Sequence, residues 1–297
     1  MIPFVHDMAF EYGVVQQVSP LIRRVVARNP GPFTFHGTGT YIVGHGEVAV
    51  LDPGPEMVEH LDALLAATTG ERVTHVFITH AHMDHTPLAR PLAERTGATI
   101  YAGAEPCIPS DGEVRLEAGD DLDFRPDVAL TDGEGFTGPD WTLRAMNTPG
   151  HTSSHYAFLL EQEHALFTGD CVMGWSTTVI SPPDGDMGDY MRSLARVQAL
   201  APDTLWPTHG PPVTEPGPFL AAYVAHRRGR EAQILDALSE QETTIRALVP
   251  RLYAHVERRL HPAASHSMLA HLTDLVDRGL VRCDGAPGIA SRYARAA

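Results

Sequence analysis

The stretch Thr79-His80-Ala81-His82-Met83-Asp84-His85 places three imidazoles and a carboxylate within six residues. It follows Val73-Thr74-His75-Val76-Phe77-Ile78, a run with the length and β-branched content of a buried strand. A strand that ends in a dense group of nitrogen and oxygen donors makes one wall of a metal site. A polar loop in a chain with 17 His is the plain alternative, but scattered surface histidines seldom fall at His-x-His-x-Asp-His spacing.

Working outward toward the N-terminus, Thr38–Gly44 and Val48–Gly54 are β-rich runs joined by Gly-His-Gly, which reads as a hairpin. Asp52 closes the second run. Two roles stay open for it: orienting a metal-bound His, or forming the turn before Pro53-Gly54. Met57, Val58, Leu61, Leu64 and Leu65 follow helical spacing over Met57–Ala67, with Gly70 expected to close the helix. A second helix is predicted from about Pro87 to Arg95, closed at Gly97, and Ala98–Tyr101 reads as a strand. Strands and helices therefore alternate up to residue 101.

Toward the C-terminus the chain turns β-rich, with Val114–Leu116, Asp121–Phe124, Val128–Leu130 and Trp141–Arg144 as candidate strands. The acidic cluster Asp120, Asp121 and Asp123 lacks the spacing of a calcium loop and reads as a solvated turn. His151 follows a Pro-Gly turn, Asp170 ends the strand Ala165–Gly169, and His209 ends the strand that starts at Thr204. A helix is predicted from about Asp189 to Leu200 between these last two. Four strand ends thus deliver His80, His82, Asp84, His85, His151, Asp170 and His209. Seven donors suffice for two metals that share one carboxylate.

Composition narrows the class. The chain has 297 residues and is 43% hydrophobic, enough for one large core plus a smaller unit. No apolar run approaches the roughly 20 residues of a membrane span. Three widely spaced cysteines, Cys107, Cys171 and Cys283, make no disulfide framework, and Met1–Asp7 carries no secretory pattern. A reducing, cytoplasmic setting is expected, with no membrane partner. The net charge of −15 speaks against broad nonspecific nucleic-acid binding. Residues 1–225 hold 11 Arg against 29 acidic residues, whereas 226–297 hold 11 against 8, and the chain has no Lys. This asymmetry is expected either from two folding units or from a weakly basic interaction module.

The motif His80-x-His82-x-Asp84-His85, with His151, Asp170 and His209 in that order, resembles the metallo-β-lactamase superfamily over roughly residues 14–215. Asn29–Thr34, Gly37–Gly44, Gly169–Gly174, Asp189–Leu194 and His226-Arg227-x-x-Arg230-Glu231 resemble its β-lactamase-like protein 2 group. Gly39 departs from that group, which commonly has Asn there. The resemblance implies an α/β fold, the αββα sandwich, over residues 1–225, and a linker helix with a small winged-helix domain over 226–297. The C-terminal sequence agrees: Ile245–Val256 and Met268–Val276 have helical spacing, and Gly279–Tyr293 fits a β-wing. Pro250 sits inside the first of these helices, as a kink or as a mark of its start.

By the same resemblance, His80, His82 and His151 hold one metal, Asp84, His85 and His209 a second, and Asp170 bridges them. Two Zn2+ suit these nitrogen-rich donors, with iron or manganese left open. Such a pair holds a bridging hydroxide that attacks an ester, thioester or related acyl bond on a small-molecule or carrier-bound substrate. Asp84 is a candidate proton carrier. His155 matches a His of the same group and is a candidate donor to the substrate oxygen or leaving group, its alternative being a structural role. Tyr190 and Trp175 are weaker candidates for lining the pocket, and Cys171 is read as buried packing. Three other readings stay open: an endoribonuclease acting on single-stranded RNA, a β-lactamase, and a winged-helix nucleic-acid-binding protein. A homodimer is also open.

Overall fold

The computed structural model describes residues 1–104, 119–239, 241–254 and 257–296. The expected strand at Val114–Leu116, and Cys107, lie outside the described residues.

Seven strands form the first sheet, paired in chain order: β1 (Gln16–Gln17), β2 (Ile22–Val26), β3 (Gly39–Val43), β4 (Glu47–Leu51), β5 (Arg72–Phe77), β6 (Thr99–Ala102) and β7 (Val128–Ala129). The hairpin β3–β4 is antiparallel, and β4, β5, β6 and β7 run parallel. Helices α1 (Val58–Ala67) and α2 (Ala89–Thr96) supply the crossovers that parallel strands require. Gly97 closes α2 in the left-handed conformation, φ 78°. Helix α1 ends at Thr68, before Gly70.

The second sheet contains β8 (Gly135–Thr137), β9 (Thr142–Asn147), β10 (Tyr156–Leu160), β11 (Ala165–Gly169) and β12 (Thr204–Pro207), in the order β12-β11-β10-β9-β8. Helix α3 (Met187–Leu200) connects β11 to its parallel neighbour β12 and is capped by the Asp186 side chain, which accepts from Asp189 N at 2.6 Å. Strand alternation sends Tyr41, Leu51 and Phe77 from one sheet against Leu143, Phe158, Phe167 and Trp206 from the other, which makes the central core. The opposite face of the first sheet buries Val48, Val50, Val76 and Ile78 under Leu64 and Leu92 of its helices. The opposite face of the second sheet packs Leu166 and Leu205 under Tyr190, Leu194 and Val197. This is the αββα sandwich the resemblance implies.

Helix α4 (Pro216–Ala237) runs from one core to the next. Phe219, Leu220, Tyr223 and Val224 pack on the sandwich, while Ile234 joins a separate C-terminal core. That core is built by β13 (Thr243–Thr244), α5 (Ile245–Leu252), α6 (His261–Asp277), β14 (Val281–Cys283) and β15 (Arg292–Arg295). Thr244 caps α5, and Pro250 lies inside it. Helix α6 is buried nearly all round: Met268, Leu272 and Leu275 face its own core, while Ala270 packs on the sandwich. No helix among the described residues is long and apolar enough to cross a membrane.

Asp121–Phe124 forms a turn in place of the expected strand. In that turn Asp121 N donates to Ala81 O at 2.7 Å, and Gly119 O accepts from Met83 N at 2.9 Å. Backbone bonding to the 80–85 loop displaces sheet pairing there.

Candidate metal centre

The ends of β5, β9, β11 and β12, each followed by a short loop, bring His80–His85, His151, Asp170 and His209 to one end of the sandwich. Their donor atoms form three groups, each with all atoms within 4.8 Å of one another: His80, His82 and His151; His80, His85 and Asp170; Asp84, His85 and His209. His80 Nε2 and His82 Nδ1 face each other at 2.9 Å. His209 Nε2 lies 3.1 Å from Asp84 Oδ2, and His85 Nε2 lies 3.7 Å from Asp84 Oδ1. Asp170 sits between the groups: Oδ1 is 3.9 Å from His85 Nε2, and Oδ2 is 3.9 Å from His151 Nε2 and 3.6 Å from His209 Nε2. All seven side chains are buried.

The other nitrogen of each clustered imidazole is held by the protein. His80 Nδ1 meets Thr79 Oγ1 at 3.0 Å, and His82 Nε2 lies 3.5 Å from Asp120 Oδ1. His85 Nδ1 meets Asp52 Oδ2 at 2.9 Å, and His151 Nδ1 meets Val179 O at 2.8 Å. His209 Nδ1 lies 3.3 Å from Gly37 O. Outer acceptors of this kind fix the tautomer and aim the inward lone pair, as metal-ligating histidines require. Asp84 Oδ1, His85 Nε2 and Asp170 Oδ1 are buried without a hydrogen-bond partner. Buried polar atoms left this way are normally accounted for by a bound group. Five imidazoles and two carboxylates with inward-facing donors fit divalent metal ions.

The electrostatics agree. Burial, and then the neighbouring His85, His82 and His151, push His80 well below the usual imidazole range, so it presents a neutral ring. Burial alone would raise Asp84. His85 and the hydrogen-bonded His209 outweigh it and hold the carboxyl below its ordinary range. His85 goes the other way: burial lowers it, but Asp84, Asp52 and Asp170 together raise it to about 10. His209 is likewise raised, Asp170 and Asp84 outweighing burial. Without metal, protons occupy the place that cations would take.

Asp52 does both jobs left open for it. It turns the chain at φ 47°, and its carboxylate accepts from Thr79 N (2.8 Å), Thr79 Oγ1 (2.8 Å), His85 Nδ1 (2.9 Å) and Thr208 Oγ1 (2.7 Å). The 29–44 motif braces the loop from the other side. Asn29 Oδ1 accepts from Thr38 N at 2.9 Å, and Thr38 Oγ1 donates to Asp84 O at 3.0 Å. At Gly39 the backbone still donates to Thr208 O at 2.8 Å.

His155 is fully buried, and both of its ring nitrogens are engaged: Nδ1 with Thr148 Oγ1 at 2.8 Å, and Nε2 accepting from Asp170 N at 3.2 Å. Both nitrogens thus have partners within the protein, as the structural alternative for His155 expects. Tyr190 is buried in the core with its hydroxyl on Cys171 O at 2.8 Å. Trp175 stacks on Phe35, ring centroids 4.8 Å apart. Cys171 is buried packing, and burial, with Asp170 nearby, pushes its thiol up to about 12.

Two carboxylates that contact the 80–86 loop carry no signal in the sequence. Asp120 faces His82, and Asp121 Oδ2 accepts from Thr86 Oγ1 at 2.7 Å, so the cluster taken for a solvated turn is a brace on the ligand loop. Nothing in the local sequence signals this, because the contacts span about 35 residues.

Residues 34–209 match the family described as Metallo-beta-lactamase superfamily, and residues 244–289 match the Beta-lactamase associated winged helix domain. The chain belongs to the metallo-β-lactamase superfamily, and it is a metal-dependent hydrolase of that fold. It is 32% identical over 276 residues to the Beta-lactamase-like protein 2 homolog of Caenorhabditis elegans, covering 90% of this chain and 88% of that one. It is 35% identical to an Atrochrysone carboxyl ACP thioesterase of Aspergillus fumigatus, covering 75% of this chain and 67% of that one. In fold it is similar to a Beta-lactamase domain protein from Burkholderia ambifaria, with a TM-score of 0.80 and 22% identity, covering 99% and 97% of the two chains.

Proposed function

We propose that the protein is a dinuclear acyl hydrolase that cleaves thioesters presented on a carrier. The observation that carries the dinuclear reading is the placement of Asp170, whose oxygens lie within 4 Å of the His151 nitrogen on one side and of the His85 and His209 nitrogens on the other. His80, His82 and His151 would hold one ion, Asp84, His85 and His209 the other, and Asp170 would be shared between them. The nitrogen-rich donor set favours Zn2+ over iron or manganese. Bound there, two such ions would lower the pKa of a water toward about 7 and polarise the acyl oxygen. The thioesterase-named relative supports the acyl substrate class.

The chain's own residues then have separable tasks. Asp52, Val179 O, Gly37 O, Thr79 and Asp120 hold the imidazoles in their tautomers. Asp84, with Oδ1 free of hydrogen bonds, is the carboxylate placed to carry the proton of the attacking water to the leaving sulfur. In that step the water oxygen bonds to the acyl carbon, the C–S bond breaks and the thiol leaves protonated. His155 is a positioning residue that fixes the backbone of Asp170.

We assign residues 1–225 to the catalytic body and 226–297 to the linker helix and winged helix, with the boundary inside α4. Cys171 and Cys283 are free thiols, which fits a reducing, cytoplasmic setting. Burial of α6 on both sides weighs against nucleic-acid binding through that helix. Neither RNA cleavage nor a homodimer has an observation of its own among the described residues.

The test is hydrolysis of an acyl-carrier thioester, with single-stranded RNA and a β-lactam run in parallel and metal content measured on the same sample. Expected are two metal ions per chain and thioester turnover that falls by more than about 100-fold in His82→Ala. Metal content below one per chain, or RNA cleavage in place of thioester cleavage, would sink the reading.

A further inference from the structure

Residues 174–181 carry no helix or strand, yet they hold two of the metal-centre residues. Val179 O accepts from His151 Nδ1 at 2.8 Å, and Thr178 Oγ1 donates to Asp170 O at 2.8 Å. A buried irregular segment must find partners for its backbone groups elsewhere. For Thr178 they come from α4. Tyr223 Oη accepts from Thr178 N at 2.7 Å and donates to Ser176 O at 3.1 Å. The Arg227 guanidinium donates to Thr178 O.

Arg227 is an unusual choice for this place. It is 4% exposed and, among the described residues, stands in no ion pair. Its charge is met by the carbonyl and by the faces of Tyr190 and Tyr223, whose ring centroids lie 5.1 and 5.9 Å from Cζ. Arg230 and Glu231 of the same motif contact the C-terminal unit instead. Arg230 donates to Leu252 O at 2.8 Å and lies 4.0 Å from the Tyr253 ring centroid, and Glu231 pairs with Arg278 at 2.8 Å. Helix α4 therefore serves two units, and through Tyr223 and Arg227 it is hydrogen-bonded to the loop behind the metal centre, where α6 adds His266, whose Nδ1 meets Ser181 Oγ at 3.0 Å.

We propose that Arg227 and Tyr223 are positioning residues of the metal centre: through Thr178 they set where the Val179 carbonyl and the Asp170 backbone lie. They thereby aim His151 and Asp170. The C-terminal helices are in this way part of the metal site, although they supply no ligand. The proposal rests on His151 and Asp170 being ligands.

The test is Zn2+ titration of the metal-free full chain against a chromophoric chelator, for wild type, Arg227→Met, Tyr223→Phe and Glu231→Gln. Thermal unfolding is followed on the same samples. Arg227→Met keeps the length and apolar contacts of the side chain and removes the donor. It is expected to weaken Zn2+ binding by about 10-fold or more, the range for outer partners of metal ligands. Tyr223→Phe is expected to weaken it in the same direction, and it carries the test if Arg227→Met does not fold. The Co2+-substituted variants are expected to show an altered ligand-field spectrum, which loss of packing alone would not produce. Glu231→Gln is expected to lower the unfolding midpoint while keeping wild-type Zn2+ affinity. Wild-type affinity in folded Arg227→Met and Tyr223→Phe overturns the proposal, as does equal weakening in Glu231→Gln. Failure of the wild type to bind Zn2+ overturns instead the underlying reading of the site.

Discussion

The carboxylate of Asp52 lies 2.9 Å from Nδ1 of His85, and both side chains are almost completely removed from solvent. The same carboxylate accepts from Thr79 at the end of β5 and from Thr208 at the end of β12. One residue therefore fixes an imidazole and the separation of the strand ends that carry the other candidate donors.

Replacing Asp52 separates these two effects. Asp52→Asn tolerates the left-handed backbone at φ 47° and keeps one acceptor, but it no longer holds His85 with a charge. We expect metal affinity to fall by about 10–100-fold with a modest loss of stability. Asp52→Ala also strands four buried donors and strains the backbone, so its unfolding midpoint should fall further. Equal midpoints for the two variants would contradict this account.

Metal uptake should release protons. In the metal-free protein His85 is raised to about 10 and is charged at neutral pH. A cation must displace that proton, so affinity rises with pH. Calorimetric titration at pH 7 in two buffers of different ionisation enthalpy should give different apparent enthalpies, and identical values would refute it. For the metal-free protein the sign follows from linkage. A folded-state value above the unfolded 6.5 gives stability that is complete below pH 6.5 and lost as the pH climbs toward 10.

Gly169 has φ 50°, and a Cβ there would come within 2.6 Å of His155 Nε2 and 2.7 Å of Thr79 Cβ. Gly169→Ala should destabilise by about 1–3 kcal/mol from overpacking. It should also push His155 off the Asp170 backbone, so metal content should drop together with stability. Urea unfolding and metal analysis of the variant check both effects.

Two buried histidines away from the cluster predict acid sensitivity. Burial lowers His60 to about 4. Burial, and then the charges of Arg227, Arg230 and His226, lower His271 to about 3. Each folded value lies below the unfolded 6.5, so the native state resists protonation that the unfolded chain accepts. Stability is complete above pH 6.5 and falls as the pH drops toward 4 and 3, by up to about 1.4 kcal/mol for each pH unit and each group. His271→Leu should flatten the dependence of the unfolding midpoint on pH between 6.5 and 4. An unchanged slope would count against it.

The seven donor residues and the strand–helix alternation were legible in the sequence because both are local. A strand is recognised within six residues, and His-x-His-x-Asp-His spacing is itself short-range. Asp121–Phe124 was misread for the same reason. Its apolar alternation suits a strand, but Asp121 N bonds to Ala81 O, and the preceding Gly119 O accepts from Met83 N. The strongly apolar α6 was legible as a helix, whereas its burial on both sides was not, because amphipathic spacing says nothing about a second partner.

What the sequence by itself determined is the donor set: which residues are present, in what order, and at the ends of which strands. What folding decided is the direction in which each donor points. Asp52 meets Thr208 across 156 residues, His209 rests on Gly37 across 172, and Arg227 reaches Thr178 across 49. Ligand identity is written in side-chain chemistry, which is carried residue by residue. Ligand orientation depends on which nitrogen of each imidazole is taken by an outer acceptor, and those acceptors are brought into reach by the packing of the two sheets and α4.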